Sequence, residues 1–433
     1  MKAKLFIFIL CLSLGACISA KKKQEAIEKI TMANNPNSNT NNQTAQTPVI
    51  TEVILRRMLC HHRVLEDGDS LKIFLELDIP RLANKNGIEN LTSEFQFSYG
   101  LLASYTSKEF IETRRLNIPA KRFQKIGSFY YTYFKVEKRP IITAIVQLEV
   151  VDLNQNQRVT ETIPLTYTIT KLRERFGLFD KSGRIPVFSN YILATDTIQI
   201  RDVQSSNKNL IVRHYNHQFE PASPPMAINK KNLSKHLGVD SVYNIATNQP
   251  LQFSKPGVYF LQDDTTAFYG LCFYVSERKF PKLSKVNDLI DPLIYITTEE
   301  ELKQLQEAGA IKKEMDKFWL KLMSGNVKSA KFTIREYYRR VKETNRMFTS
   351  FKEGWKTDMG MIFIIYGAPN TVIRSNDAEY WFYRQIAGFS EIKFTFMRRP
   401  NQFTDEYYEL SRFPEYEQVW YPFIELWRDG KIQ

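Results

Sequence analysis

Hydrophobic and polar residues change rhythm along this chain, and the changes mark out its parts. From about Val49 the apolar residues fall at strand-like intervals. Leu71, Ile73, Leu75 and Leu77 alternate with Lys72, Phe74 and Glu76, while Phe95, Phe97 and Tyr99 alternate with Gln96 and Ser98. A period of two places one set on each face of a strand. Ile142 to Val151 is apolar and β-branched, residues 152–157 are polar, and Arg158 to Ile169 reads as a return strand. Strands at this spacing, without a helical period, predict a small antiparallel sandwich of immunoglobulin-like type over residues 49–172.

A second strand-rich stretch covers residues 173–280. Tyr191-Ile192-Leu193, Thr197 to Ile200, Leu210 to Arg213 and Tyr243 to Ile245 are candidate strands. Lys255-Pro256-Gly257 is a turn before Val258 to Leu261, and Phe268 to Val275 is the expected hairpin partner. The proline-rich loop from Glu220 to Met226 is stiff and expected to be exposed.

The helical period begins only near Thr298. Thr298 with Glu301, and Thr333 with Glu336, fit capping boxes. Met315, Phe318, Trp319 and Met323 mark one amphipathic helix. Ile334, Tyr338, Val341, Asn345 and Phe348 mark the buried face of another, with Arg335, Arg339, Lys342 and Arg346 elsewhere. This helical segment, 281–353, leads into a C-terminal unit, 354–433. Its sheet is expected from Met361 to Tyr366, Tyr380 to Tyr383 and Ile392 to Met397. The fold class read from pattern is therefore multidomain: two all-β units followed by an α+β unit.

Between helix and sheet lies Gly354-Trp355-Lys356-Thr357-Asp358-Met359-Gly360, and beyond the next apolar run the turn Gly367-Ala368-Pro369. Gly354 and Gly360 bracket a tight connection where a Cβ would be in the way. Thr357 and Asp358 can cap it through their side-chain oxygens, and Trp355 would plug the corner. Together with Glu379-Tyr380-Trp381-Phe382-Tyr383, these residues resemble the GWxTD domain; Met359 stands where that family often has arginine. The resemblance implies a family setting, envelope proteins of Bacteroidetes-type bacteria with a secretory or lipoprotein signal and β-rich upstream regions. It implies structural roles for Gly354, Trp355, Thr357, Asp358, Gly360, Gly367, Pro369 and Trp381, and carries no established activity.

The amino terminus agrees with such a setting. Lys2 and Lys4 precede an apolar run from Leu5 to Leu14, too short for a permanent membrane span and suited to a signal peptide. Leu14-Gly15-Ala16-Cys17 resembles the lipobox of bacterial lipoproteins, which implies a signal over residues 1–16 and acylation of Cys17. Residues 17–48 are expected to be a flexible tether, since Asn34 to Thr47 is rich in Asn, Thr, Gln and Pro. No acidic pair follows Cys17 in Ile18 to Lys23. Surface-exported lipoproteins of such bacteria often carry one, so a periplasm-facing, outer-membrane position is expected.

The formal net charge is +13. A basic envelope protein can meet acidic headgroups or an acidic partner, but both signs are interspersed, which favours a solvated surface. Nucleic acid lies in the wrong compartment. With Cys11 and Cys17 assigned to signal and anchor, Cys60 and Cys272 remain, far apart in sequence and expected as free thiols.

Candidate chemistry is sparse. Cys60-His61-His62 would point alternately to opposite faces of a strand and so cannot make a tetrahedral metal set alone. His214 and His217 are expected in a solvated or capping role. Nucleophile elbow, zinc-helix and phosphate-loop motifs are absent from the sequence; no cofactor, metal or catalytic residue is assigned. Glu391, Asp405 and Glu406, with Asp358, are the carboxylates that a carbohydrate- or peptidoglycan-active protein could use. The C-terminal aromatics, among them Tyr407, Tyr408, Tyr416 and Phe423, serve as core or as a partner surface, with Trp420, Tyr421 and Trp427 as candidate anchors. The expected function is a non-enzymatic scaffold or accessory subunit of an envelope assembly, bound to a membrane by Cys17 and to an outer-membrane or periplasmic protein.

Overall fold

The computed structural model describes residues 50–51, 59–79, 82, 87–228 and 237–432. The expected signal, Cys17 and the expected tether, with nearly all of the segment before residue 59, lie outside the described residues. β1 (Ile50–Thr51) does not open the first β unit, as expected, but joins the C-terminal sheet.

The first unit has two four-stranded antiparallel sheets. One has β2 (Leu59–Asp67) and β3 (Ser70–Asp78), then a helix α1 (Ile88–Glu94) intervenes before β4 (Phe95–Leu102) and β5 (Glu112–Leu116) of the other. β6 (Gln124–Ile126) and β7 (Phe129–Glu137) complete the first sheet, in the order β2-β3-β7-β6. β8 (Thr143–Asp152) and β9 (Gln157–Thr166) complete the second, β5-β4-β8-β9, and match the expected hairpin closely. Its turn is held by Asp152 Oδ1, which accepts from the amides of Asn154 and Gln155. The sheets share one core, with Tyr99 stacked on Phe134 across it at 5.5 Å. Leu71, Ile73, Leu75 and Leu77 face that core; Phe74, on the other face, is buried against Phe179 of the next unit.

After α2 (Leu172–Arg175) the second unit also has two sheets. β10 (Gly177–Asp180), β12 (Thr197–Arg201) and the short β15 (Leu251–Gln252) form one. β11 (Tyr191–Leu193), β13 (Asn209–Tyr215), β14 (Ser241–Ala246), β16 (Gly257–Gln262) and β17 (Leu271–Ser276) form the other, with β11 parallel to β17. The β16–β17 hairpin after Pro256 is as expected. His214 lies on β13, buried, bonded to the Pro256 carbonyl at 2.9 Å and packed on Tyr259, which corrects its expected solvated role. The loop from Glu220 to Met226 is not free: Pro225 is buried, and Ala222 and Met226 pack against the C-terminal core.

That core joins the helical segment and the last unit into one body. α3 (Glu299–Gln306) starts at the expected Thr298–Glu301 capping box, and α4 (Ile311–Leu322) carries the expected Met315, Phe318 and Trp319 inward. α5 (Val327–Phe348) begins two turns before Thr333, capped by Asn326, so Thr333 is a buried mid-helix residue and not a cap. Val341 and Asn345 are buried as expected, but the inward face also takes in Thr333, Tyr337 and Thr344, while Ile334, Tyr338 and Phe348 are half-buried.

The expected strand from Met361 to Tyr366 is instead helix α6 (Asp358–Tyr366), all nine residues of which are buried. A continuous apolar run has no period to separate strand from helix. Here the ends decide: Thr357 caps the N-terminus and Gly367, at φ 81°, closes the C-terminus. α6 is wedged between Phe348 of α5, Phe394 of β20 (Phe389–Arg398) and Phe423 of α7 (Glu417–Arg428). The five-stranded antiparallel sheet beside it runs β1, β18 (Thr371–Arg374), β19 (Ala378–Ile386), β20 and β21 (Tyr408–Leu410). No helix among the described residues is long and apolar enough to cross a membrane.

Polar bonds tie the units together. Arg63 of β2 donates to the carbonyls of Val187 and Phe188 and to Asn190 Oδ1, and Asn190 donates on to the Thr349 carbonyl. Lys171 and Arg173 hold Asp405 at 2.7 and 2.8 Å.

Candidate functional site

The Gly-Trp corner is built by close backbone approach. A Cβ on Gly354 would lie 1.9 Å from the Thr344 carbonyl oxygen of α5, and one on Gly360 would lie 1.9 Å from the Gly354 oxygen. Real atoms cannot share that space, so both positions demand glycine for packing, not for φ. The amides of Gly354, Trp355 and Gly360 find side-chain acceptors. Gly354 N–H donates to Thr349 Oγ1, and Trp355 N–H to Asn345 Oδ1, whose amide group reaches the Pro281 carbonyl. Thr357 Oγ1 donates to the Gly354 carbonyl and accepts from Gly360 N–H. Trp355 is buried, its ring set edge-on to Tyr295, whose hydroxyl donates to the Trp355 carbonyl at 2.8 Å.

Asp358 follows at the start of α6, buried. Its carboxylate accepts from Leu410 N–H of β21 at 2.7 Å and takes Arg412 in a two-pronged pair, at 2.5 Å from Nη2 and 3.1 Å from Nη1. Arg412 Nη2 also donates to the Ser223 carbonyl of the second unit. The carboxylate thus pins the α6 start, the edge strand β21 and the proline-rich loop to one point. Three of the carboxylate's four lone-pair sites are thereby engaged within the protein.

Two lysines share this seam. Lys352 is buried, with its ammonium 3.4 Å from the Glu220 carbonyl oxygen and 5.7 Å from the centre of the Tyr407 ring. Burial pushes its pKa down from 10.5 to about 8, with Asp358 opposing and Lys356 adding to the fall. Lys356, also buried, pairs with Glu353 at 3.0 Å and reaches Gln218. Around them, Phe351, Phe403 and Tyr407 pack with Tyr215 and Phe260 of the second unit.

At the far end of α6, Arg340 of α5 is buried with no carboxylate paired to it among the described residues. It donates from Nη1 to the Ile364 and Ile365 carbonyls and lies 4.9 Å above the Trp427 ring. A cation there meets the negative end of the helix. Desolvation lowers its pKa to about 10. Gly367 passes beneath the guanidinium, Pro369 is buried, and Trp381 is buried with its indole N–H on Glu379.

The aromatic candidates separate. Trp420 is buried; Trp427 is 0 % exposed and donates to the Ile365 carbonyl; Tyr421 alone stands out, 52 % exposed. This corrects the expectation for the two tryptophans, which are core because α7 turns them toward α6. Glu391 and Asp405 are not brought together either. Glu391 pairs with Arg384 near one end of β20, while the Asp405 carbonyl is bonded to Arg398 at the other, about 20 Å along the strand. That separation exceeds any acid–base pair for glycoside cleavage. His61 pairs with Glu76 and His62 with Glu161, and no metal-holding group occurs among the described residues. Cys60 and Cys272 are free, as expected, and burial raises both thiol pKa values.

The sequence reading missed Arg340, Lys352 and Arg412, and it placed Asn345 on the buried face of its helix without the bond to the Trp355 amide. Arg340 carried a signal, since it falls on the apolar line of α5; the others are polar residues whose roles appear only across the seam.

Residues 257–429 match the family model of the GWxTD domain, so the chain carries that domain, and the match begins in β16, well before the Gly-Trp corner. No curated protein matches. Among solved structures, dimeric latent PorU from Porphyromonas gingivalis shows 11 % identity and a TM-score of 0.21. The likeness covers 56 % of this chain and 22 % of that one, so the chain spans under a quarter of that protein's length.

Proposed function

We propose that this chain is a non-enzymatic structural subunit of an envelope assembly. In this reading it is held by an acyl chain on Cys17 at the periplasmic face of the outer membrane. It acts as a scaffold or accessory subunit for an outer-membrane or periplasmic protein. One observation carries the reading: Thr357 and Asp358 of the Gly-Trp corner are buried and bonded within the protein, and Asp358 with Arg412 locks two units together. A motif built this way serves rigidity, and a rigid multi-unit body suits a part that positions others.

The test has two arms. Cys17→Ser should remove acylation and move the chain from the membrane to the soluble fraction. Purified from membranes, the acylated chain should retain a stoichiometric partner after crosslinking, in wild type and in Glu391→Gln and Asp405→Asn alike. A cell-wall-cleaving activity that disappears with either carboxylate would replace the scaffold reading with the glycan-active one.

A further inference from the structure

The outward face of α5 is a single cationic line. Lys328, Lys331, Arg335, Arg339, Lys342 and Arg346 follow one another at steps of three and four, and all are exposed. Such steps put them on one stripe, about 27 Å long at 1.5 Å per residue. Glu336 and Glu343, flanking the stripe, engage Arg339, and Glu336 reaches Arg335 at 3.7 Å. Lys328, Lys331, Lys342 and Arg346 have no carboxylate partner among the described residues. Two large apolar side chains are exposed beside the cations at the same end: Val327 at 53 % and Phe332 at 40 %.

This arrangement works against the helix itself. Lys328 sits in the first turn, which has no acidic residue and where the helix dipole disfavours a cation. Lys331 and Arg335, Arg335 and Arg339, and Lys342 and Arg346 are like charges one turn apart, a destabilising spacing. A solvated face chosen for stability would alternate signs, as α4 does with Lys312 on Asp316 and Lys317 on Glu314.

We propose that the α5 stripe is a docking face for an anionic lipid bilayer, with Phe332 and Val327 entering the headgroup region and the cations meeting phosphates. A line of cations about 27 Å long can meet a charged surface along its whole length, and the exposed Phe332 and Val327 beside it supply the apolar contact that interfacial binding adds to electrostatic attraction. The face is independent of Cys17 and of the scaffold reading. It would lay the C-terminal unit against the membrane.

The test uses the full chain with Cys17→Ser, so that no acyl chain contributes, and vesicles of phosphatidylcholine with or without phosphatidylglycerol. Sedimentation with the anionic vesicles only, weakening as salt is raised, is expected. Lys328→Gln, Lys331→Gln, Lys342→Gln and Arg346→Gln together should weaken it about a hundredfold or more, without lowering the melting temperature. Phe332→Ser should reduce vesicle binding while leaving binding to soluble polyglutamate unchanged. Equal vesicle binding by the four-fold variant would overturn the proposal. So would binding to polyglutamate with none to vesicles, which would make the face a site for an acidic protein.

Discussion

Lys352 offers the sharpest test of how the seam between units is built. Its ammonium is buried with a single long contact to the Glu220 carbonyl and lies over the Tyr407 ring, 5.7 Å from its centre. Because the folded pKa, about 8, lies below the ordinary 10.5, the unfolded chain binds more protons between those values. Stability should therefore rise with pH across that window, and below pH 8 the full penalty applies. A gap of two to three units corresponds to about 3 kcal/mol. Lys352→Met removes the charge and keeps the stem, at the loss of one weak bond of about 1 kcal/mol. The variant should be more stable than wild type by about 2 kcal/mol at pH 7, consistent with what replacing a buried ion by a hydrophobe does elsewhere. That advantage should disappear by pH 10. Urea unfolding of both proteins at pH 7, 8.5 and 10, followed by tryptophan fluorescence, measures it. A variant less stable at pH 7, or a difference that does not change with pH, would refute the reasoning, showing that the ammonium is well solvated or strongly paired.

Further outcomes follow from the corner. Gly354→Ala should destabilise the C-terminal body by about 3 kcal/mol, since the new methyl meets backbone on α5; thermal melting reads this. Asp358→Ala leaves the half-buried Arg412 without its partner and the Leu410 amide without its acceptor, and should cost about 3 kcal/mol, with limited proteolysis opening first at β21 and the loop from Glu220 to Met226. Trp427→Ala should cost about 3–5 kcal/mol, while Tyr421→Ala should leave unfolding within about 0.5 kcal/mol of wild type. Trp355→Ala should loosen the corner by about 3–5 kcal/mol and leave the first β unit folded, because that unit has its own core.

Strands such as β3, β4, β8 and β13 were legible because each needs one face in a core, and a period of two survives any detail of packing, whereas β2, β5, β6, β7 and β10 were not read from it. The capping box at Thr298 and the glycines of the corner were legible for the same local reason: a missing Cβ or a cap oxygen is a property of one or a few residues. What only the tertiary structure decided is whatever depends on a distant neighbour. Met361 to Tyr366 has no period, so helix or strand was settled by burial on every side. Thr333 and Glu336 fit a cap pattern, but the helix begins at Val327 because Asn326 caps it earlier and its first turns pack. Trp420 and Trp427 differ from Tyr421 only in which way α7 faces α6. Asp358 was visible as a carboxylate in a motif; that it is held by Arg412, 54 positions later, follows from the folding of β21 and the chain just beyond it against α6. Sequence fixes local geometry through sterics and period, whereas the partner of a buried charge is chosen by topology.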